Sequence, residues 1–98
     1  MKTKTKIYEI EVTNQYKKNL KKAFKRGYNL ALLEKVVDML ASGETLPAKY
    51  KNHPLKGEYA GFFDCHIQPD WVLIYKIKKE KLVLLLLDTG THSDLFDK

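Results

Sequence analysis

The sequence predicts a single α+β domain in which two N-terminal helices pack against one face of a small antiparallel sheet. Its 98 residues are enough for one domain with its own core. Apolar residues recur at helical spacing between residues 14 and 41, whereas strand-like patterns dominate from residue 62 onwards. We therefore expect the element order β-α-α-β-β-β, with residues 1–98 forming one unit.

The N-terminal third is expected to hold an edge strand and the first helix. Residues 7–12 alternate between apolar and polar side chains, which is typical of a strand near a sheet edge. Thr13 or Asn14 can cap a helix from about residue 14 to residue 26, and Gly27 suits its C-terminal end. The stripe expected to face the core contains Tyr16, Leu20, Ala23 and Phe24.

The second helix is expected at about residues 30–41, where Ser42 and Gly43 stop it. The short link at residues 27–29 makes the two helices a hairpin. A loop that contains two prolines follows at residues 44–56. The apolar face of this helix contains Leu32, Leu33, Val36, Val37 and Leu40.

The C-terminal half reads as three strands joined by short turns, so an antiparallel arrangement is expected. The last strand is apolar on both faces and belongs inside the sheet. Residues 91–96 form at most one helical turn. The strands are expected at residues 62–67, 71–77 and 82–87.

The charge indicates an anionic partner: nucleic acid, an acidic protein or a membrane surface. The net charge is +6, and Arg26 is the only arginine. Lysines act as point charges, which favours attraction to phosphates over reading of bases. A one-sided lysine stripe on the first helix is either a solvated face or a surface for RNA or an acidic partner. It comprises Lys17, Lys18, Lys21, Lys22 and Lys25, beside Arg26.

The single cysteine and the apolar runs favour a cytoplasmic protein that does not enter the membrane. Cys65 has no partner for an intramolecular disulfide, which suits a reducing compartment, and we interpret it as a buried thiol rather than a catalytic one. The longest apolar run, residues 82–87, is far shorter than the roughly 20 residues of a membrane span. No apolar run suits a signal peptide.

The three histidines are the candidates for chemistry. His53, His66 and His92 all lie in the C-terminal half, and Asp70 follows His66 by four residues. Imidazole moves protons near neutral pH, and a proton-transfer cluster on a basic scaffold suggests chemistry on an RNA phosphodiester. A zinc site is the rival interpretation, but no local spacing of a known metal motif is present, so no metal or other cofactor is expected.

Three segments together carry a resemblance to a known family. They are HPLKG at residues 53–57, CHIQPDWVLIY at residues 65–75 and TGTHSDLF at residues 89–96. Jointly they resemble the YafQ branch of the RelE superfamily of bacterial type II toxins. The likeness covers nearly the whole chain, because the helical hairpin also fits.

The resemblance implies a RelE-like fold and an activity. Active members enter the ribosomal A site and cut mRNA there without a metal, as the ribose 2′-OH attacks the adjacent phosphate and the 5′-oxygen leaves. It also implies a small, acidic, partly disordered antitoxin as partner. Operator DNA would be bound only through that antitoxin, because the chain has no helix-turn-helix signature of its own.

Carried over by position, His53, His66, Asp70 and His92 match the active-site residues of that family. We expect His92 to be the general acid and either His53 or His66 the base, with Asp70 orienting a histidine or holding its charged form. The expected RNA contacts come from the lysine stripe and from three further residues. These are Lys56, for charge at the phosphate, and Trp71 and Phe96, which are either stacking platforms for a base or core residues.

Position 88 departs from the pattern, because the family usually carries there an arginine that meets the phosphate. Here it is Asp88. Lys56 or Lys76 could supply the charge instead, Asp88 could hold a histidine or lysine, or the chain could be a weak or inactive toxin that only binds the ribosome or the antitoxin. For the function of the whole chain, a third interpretation besides an active toxin and a binding-only toxin is a general small RNA-binding domain. It leaves the resemblance of the three segments unexplained.

Overall fold

The computed structural model describes residues 6–96. Short 3-10 turns at Ala48–Tyr50 and Gly57–Tyr59 interrupt the long loop. The helices and strands are β1 (Glu9–Val12), α1 (Asn14–Lys25), α2 (Leu30–Ala41), β2 (His53–Pro54), β3 (Phe63–Gln68), β4 (Trp71–Lys78), β5 (Val83–Gly90) and α3 (His92–Phe96). No helix among the described residues is long and apolar enough to cross a membrane.

The sheet has five strands in the order β1-β5-β4-β3-β2. The antiparallel prediction is confirmed for β2 to β5, where consecutive strands pair. In contrast, β1 pairs with β5 in parallel, because the long connection between them returns the chain to the same end of the sheet. The two-residue strand β2 lies in the proline-containing loop and was not predicted.

Helix α1 begins and ends where expected, but the predicted burial of one residue in its core stripe is wrong. Thr13 Oγ1 accepts the first-turn hydrogen bond from Tyr16 N at 2.9 Å. Tyr16 and Ala23 are buried, whereas Phe24 is 70% exposed. At about 100° per residue, Ala23 lies roughly 20° from the direction of Tyr16 and Phe24 roughly 80° from it. Gly27 then adopts a positive φ of 83°, which suits a residue without Cβ.

Alternate residues of the sheet face two separate cores. The large core lies under α1 and α2 and includes Leu73 of β4, whereas its neighbours Val72 and Ile74 belong to a small second cluster with Leu95 of α3. The segment from Leu55 to Phe62 packs against this second cluster. The two N-terminal helices therefore cover one face, while α3 and this segment lie on the other.

Trp71 of β4 lies in the large core and is hydrogen-bonded to β5 near the start of α3. It is 1% exposed, its ring centroid lies 4.9 Å from that of Tyr28, and its Nε1 donates to Thr89 Oγ1 at 2.9 Å. Thr89 Oγ1 in turn donates to the Val72 carbonyl at 2.8 Å. Trp71 is therefore a core residue, and its burial leaves no ring face for the RNA stacking that we considered.

Replacing Thr89 by valine keeps the side-chain volume but leaves the buried Trp71 N–H without its acceptor. We expect the free energy of unfolding to fall by about 1–3 kcal/mol. Urea denaturation measures this change. Thr45→Val, at an exposed threonine, is the control and should change stability by less than about 0.5 kcal/mol. Equal stability of the two variants would show that the hydroxyl contributes nothing.

Candidate active site

The register of three strands brings two of the histidines together. His66 of β3 is opposite Val72 of β4, and Val72 is opposite Gly90 of β5. His92 begins α3 just beyond Gly90, so its ring lies 5.1 Å from that of His66, centroid to centroid. Asp70 lies in the β3–β4 turn, with Oδ1 3.8 Å from His92 Nδ1. Both histidine rings and this carboxylate therefore share one end of the sheet.

The third histidine is connected to this group by Asp64, a carboxylate that was not predicted as a site residue. His53 of β2 is paired with Asp64 of β3, and its Nδ1 lies 3.0 Å from Asp64 Oδ1 and 3.0 Å from the Lys51 carbonyl. The hydrogen bond of Nδ1 is with the Lys51 carbonyl, so the buried Asp64 Oδ1 is close to the imidazole without a hydrogen-bond partner among the described residues. Because side chains alternate along a strand, Asp64 shares its face with His66 two residues later, a spacing that could have indicated it.

Asp64 is nearly enclosed in protein, with 2% of its surface exposed. Burial raises the pKa of its carboxyl above the ordinary value, and the charges of His53, His66 and His92 lower it by a smaller amount. The carboxylate is thus electrostatically linked to all three imidazoles. It forms the inner wall of the site, while Asp70 lies exposed at its rim.

Aromatic side chains form the other rim. Phe96 lies 6.0 Å from the ring of His92 and 6.0 Å, edge to face, from that of Tyr59. Phe96 is 37% exposed, so part of its ring can meet a ligand. Tyr59 belongs to the second 3-10 turn and was not predicted, and the exposed Lys56 immediately precedes this turn.

A reciprocal cap and an ion pair fix the helix that carries His92. Thr91 N donates to Asp94 Oδ2 at 3.1 Å, and Asp94 N donates to Thr91 Oγ1 at 3.0 Å. Arg26, from the end of α1, donates to the same Asp94 oxygen at 3.0 Å. The backbone N–H of Thr91, followed by Arg26, lowers the pKa of the Asp94 carboxyl. The sole arginine therefore supports α3, a role that its position in the sequence did not indicate.

Sequence and structure comparisons identify the family of this arrangement. Residues 8–97 match the family model described as the bacterial toxin of the type II toxin–antitoxin system, YafQ. The chain belongs to the YafQ toxin family. It is 42% identical over 89 residues to the mRNA interferase toxin YafQ of Escherichia coli K12, which covers 90% of this chain and 95% of the relative.

Solved structures agree with this assignment. The YafQ toxin family resemblance extends to the E. coli DinJ–YafQ toxin–antitoxin complex, with a TM-score of 0.84, 41% identity and coverage of 92% of this chain and 98% of the other. A metal-bound toxin from Helicobacter pylori gives a TM-score of 0.86 at 46% identity, with coverage of 91% and 99%. Within residues 6–96 of this chain, no three His, Cys, Asp or Glu side chains are grouped to hold a metal ion.

Asp88, at the position where the resemblance implies an arginine, is hydrogen-bonded to α1. Its Oδ1 accepts from Asn19 Nδ2 at 2.6 Å and from Thr89 N at 2.8 Å. These partners are an amide and a backbone N–H rather than the histidine or lysine that we considered. Lys76, a suggested substitute for the missing charge, has its Nζ 5.4 Å from the ring centroid of Phe62.

The lysine stripe forms a surface of its own on α1. With Asn14 and Asn19 it lines a shallow groove of about 440 Å³ that none of the three histidines lines. Its five lysines are exposed, and no acidic side chain lines this groove. The lysine stripe is thus available to an anionic partner, and its groove is separate from the three histidines.

Replacing Asp64 by asparagine should stabilise the protein at pH 7 while it impairs the site. Because burial raises the pKa of this carboxyl in the folded state, its ionisation at pH 7 opposes folding. Asparagine cannot ionise, so the variant should unfold at a higher urea concentration at pH 7, and the difference should shrink as the pH falls through the raised pKa and the wild-type carboxyl takes up a proton.

The matched control is Asp38→Asn, which changes an exposed carboxylate on α2. It should show no such pH-dependent gain. A variant at position 64 that is less stable than wild type at pH 7 would mean that the His53–Asp64 contact outweighs the burial of the charge.

Proposed function

We propose that this protein is a ribosome-dependent endoribonuclease that cuts mRNA in the ribosomal A site and thereby halts translation. The observation that carries the proposal is the assembly of three histidines and a buried carboxylate in one region of the sheet, beside the aromatic ring of Phe96. The name of the E. coli relative, an mRNA interferase toxin, supports the same reaction.

The reaction needs a base for the ribose 2′-OH, an acid for the leaving 5′-oxygen and positive charge at the phosphate. We assign the acid to His92, the role that the family resemblance implies for it, and Asp70 Oδ1 lies 3.8 Å from its Nδ1, where it can orient the ring. His66 lies beside His92 and is the base that we favour. His53, whose Nδ1 lies 3.0 Å from the Lys51 carbonyl and 3.0 Å from Asp64 Oδ1, then contacts the phosphate.

The site takes up one proton and releases one proton in this reaction. The base removes the 2′-OH proton as the new O–P bond forms, and His92 gives a proton to the 5′-oxygen as the old O–P bond breaks. The products are a 2′,3′-cyclic phosphate and a free 5′-OH. Phe96 is exposed at the rim, where it can stack on a neighbouring base, a contact worth about 1–3 kcal/mol.

We also infer that a cognate antitoxin neutralises the protein in the cytoplasm. The net charge of +6 and the lysine stripe suit a small acidic, partly disordered partner. The complex of the E. coli relative with DinJ supports this inference. DNA contact is then indirect and belongs to the antitoxin.

A toxin homologue that binds without cutting is the second candidate. The observation that favours it is the carboxylate of Asp88 at a position where the family usually carries arginine. An anion there repels the phosphate that a guanidinium attracts. The contacts of Asp88 with α1 restrain this charge on the α1 side of β5, which favours the catalytic proposal.

His92→Ala removes the proposed general acid and should lower cleavage at least about 100-fold. Primer extension on an mRNA translated in a purified bacterial system, with no antitoxin, measures cleavage. Wild type should give in-frame breaks that vanish without ribosomes. Ser93→Ala, at the exposed neighbouring residue, is the control and should cut normally. Normal cleavage by folded His92→Ala protein, or none by folded wild type, would contradict the proposal.

Asp88→Arg restores the charge expected for the family and should increase the cleavage rate about tenfold, because a guanidinium stabilises the charged transition state. Asp88→Asn removes the negative charge without adding a positive one, and should fall between this variant and wild type. The same primer-extension assay measures all three. If Asp88→Arg is no faster than Asp88→Asn, a cation at this position does not act on the phosphate.

A further inference from the structure

A second groove adjoins the site on the side away from α1. Its volume is about 390 Å³, and it lies between α2, the 3-10 turn at Ala48–Tyr50 and the end of β3. β2 pairs only with residues 63 and 64, so the following part of β3 has an open edge there. The lining includes Lys35, Lys49 and Lys51, together with Leu32, Tyr50 and His66.

The charge of this groove is of one sign. Three lysines line it and no acidic residue does. The groove of similar size between α1 and α2 is different, because it is lined by Glu34 and Asp38 with Lys6 as its single lysine. A concave surface lined by charges of one sign focuses the field and attracts the opposite charge. The groove beside β3 is therefore built for an anion.

The groove shares His66 with the candidate active site. His66 lines the groove and also contacts His92. Lys51, on its other wall, presents its carbonyl 3.0 Å from His53 Nδ1 and has a positive φ of 49°, uncommon for a residue with Cβ. An anion in the groove thus lies next to His66 and one residue pair away from His53 and His92.

We propose that this groove is a subsite for single-stranded RNA, which holds nucleotides adjacent to the scissile phosphodiester. The lysines neutralise backbone phosphates, while Leu32 and Tyr50 provide an apolar floor for ribose or base. The volume lies within the range of about 300–1,000 Å³ typical of small-ligand sites, which suits a nucleotide. This inference rests on the proposed function and adds three lysines to the residues that contact RNA.

The lysine stripe of α1 is the weaker candidate for the scissile strand. Its groove is lined only by lysines and asparagines of one helix, with neither a histidine nor an apolar side chain. It can attract a polyanion, but it cannot position one against His53, His66 or His92.

The test compares two triple variants of equal charge. Lys35→Gln/Lys49→Gln/Lys51→Gln alters the groove, whereas Lys78→Gln/Lys79→Gln/Lys81→Gln alters the end of β4 and the turn to β5. Both remove three of the six net positive charges. The probe is a fluorescent 12-nucleotide RNA with 2′-O-methyl riboses, which lacks the attacking hydroxyl and cannot be cut. Anisotropy titrations at several salt concentrations give its Kd.

We expect the groove variant to bind this RNA at least tenfold more weakly than the turn variant. The negative slope of log K against log salt should become shallower by about 2 for the groove variant, since each single-strand phosphate contact contributes about −0.7 to it. The slope of the turn variant should stay near that of wild type. In the translation assay, the groove variant should need more toxin for half-maximal cleavage, with a maximal rate within about threefold of wild type.

Equal weakening by the two triple variants would overturn the proposal, because net charge alone would then explain binding. So would normal RNA binding by the groove variant, or a loss confined to binding of an acidic antitoxin. If the groove variant does not fold, Lys35→Gln/Lys49→Gln is compared with Lys79→Gln/Lys81→Gln. His92→Ala should bind the probe like wild type. RNA binding lost only in the groove variant, with no cleavage by wild type, would refute the proposed function and keep the subsite.

Discussion

The pairing register of β3, β4 and β5 is the constraint on which the site depends. It sets His66, Val72 and Gly90 in one row across the sheet and so determines where α3 begins. Because side chains alternate along a strand, a slip of one residue would turn His66 into the large core and bring Cys65 to the site. The buried pair of Trp71 and Thr89 joins β4 to β5 beneath this row and opposes a slip between these two strands.

One face of the sheet packs against most of the hydrophobic core, and the other face carries the candidate active site. The face under α1 and α2 buries most of the apolar side chains, while the other carries a small cluster around Val72, Ile74 and Leu95 together with the candidate active site. Asp64 lies on this second face, where burial raises the pKa of its carboxyl and so disfavours the negative charge beside the histidines. A domain that gains stability mainly from one face can tolerate this loss on the other.

The local parts of the fold could be predicted from the sequence. The bounds of α2 follow from apolar periodicity and its stop signal, and they are found as expected at Leu30–Ala41. The burial of Phe24 was predicted wrongly because a spacing of four residues drifts around the helix. The parallel pairing of β1 and the existence of β2 depend on contacts distant in the chain, which a local pattern does not contain.

In the candidate site, too, some residues could be predicted from local sequence, while others depend on contacts distant in the chain. The resemblance located His53, His66, Asp70 and His92, and the structure brings them to one region. Asp64 and Tyr59 were missed because each looks ordinary in its own segment and acquires neighbours only when the strands pair and the loop folds over them. The exposure of Trp71 likewise depends on which face of the sheet the helices cover.

The ion pair of Arg26 with Asp94 bears on how selective the protein can be. A guanidinium is the side chain best shaped to recognise guanine through two parallel hydrogen bonds. The only one in this chain is directed at the helix beneath His92, so the cations left to face RNA are lysines and histidines. These bind phosphates with little regard to the base attached. In the function proposed above, codon choice then depends on the shape of the site and on how the ribosome presents the message.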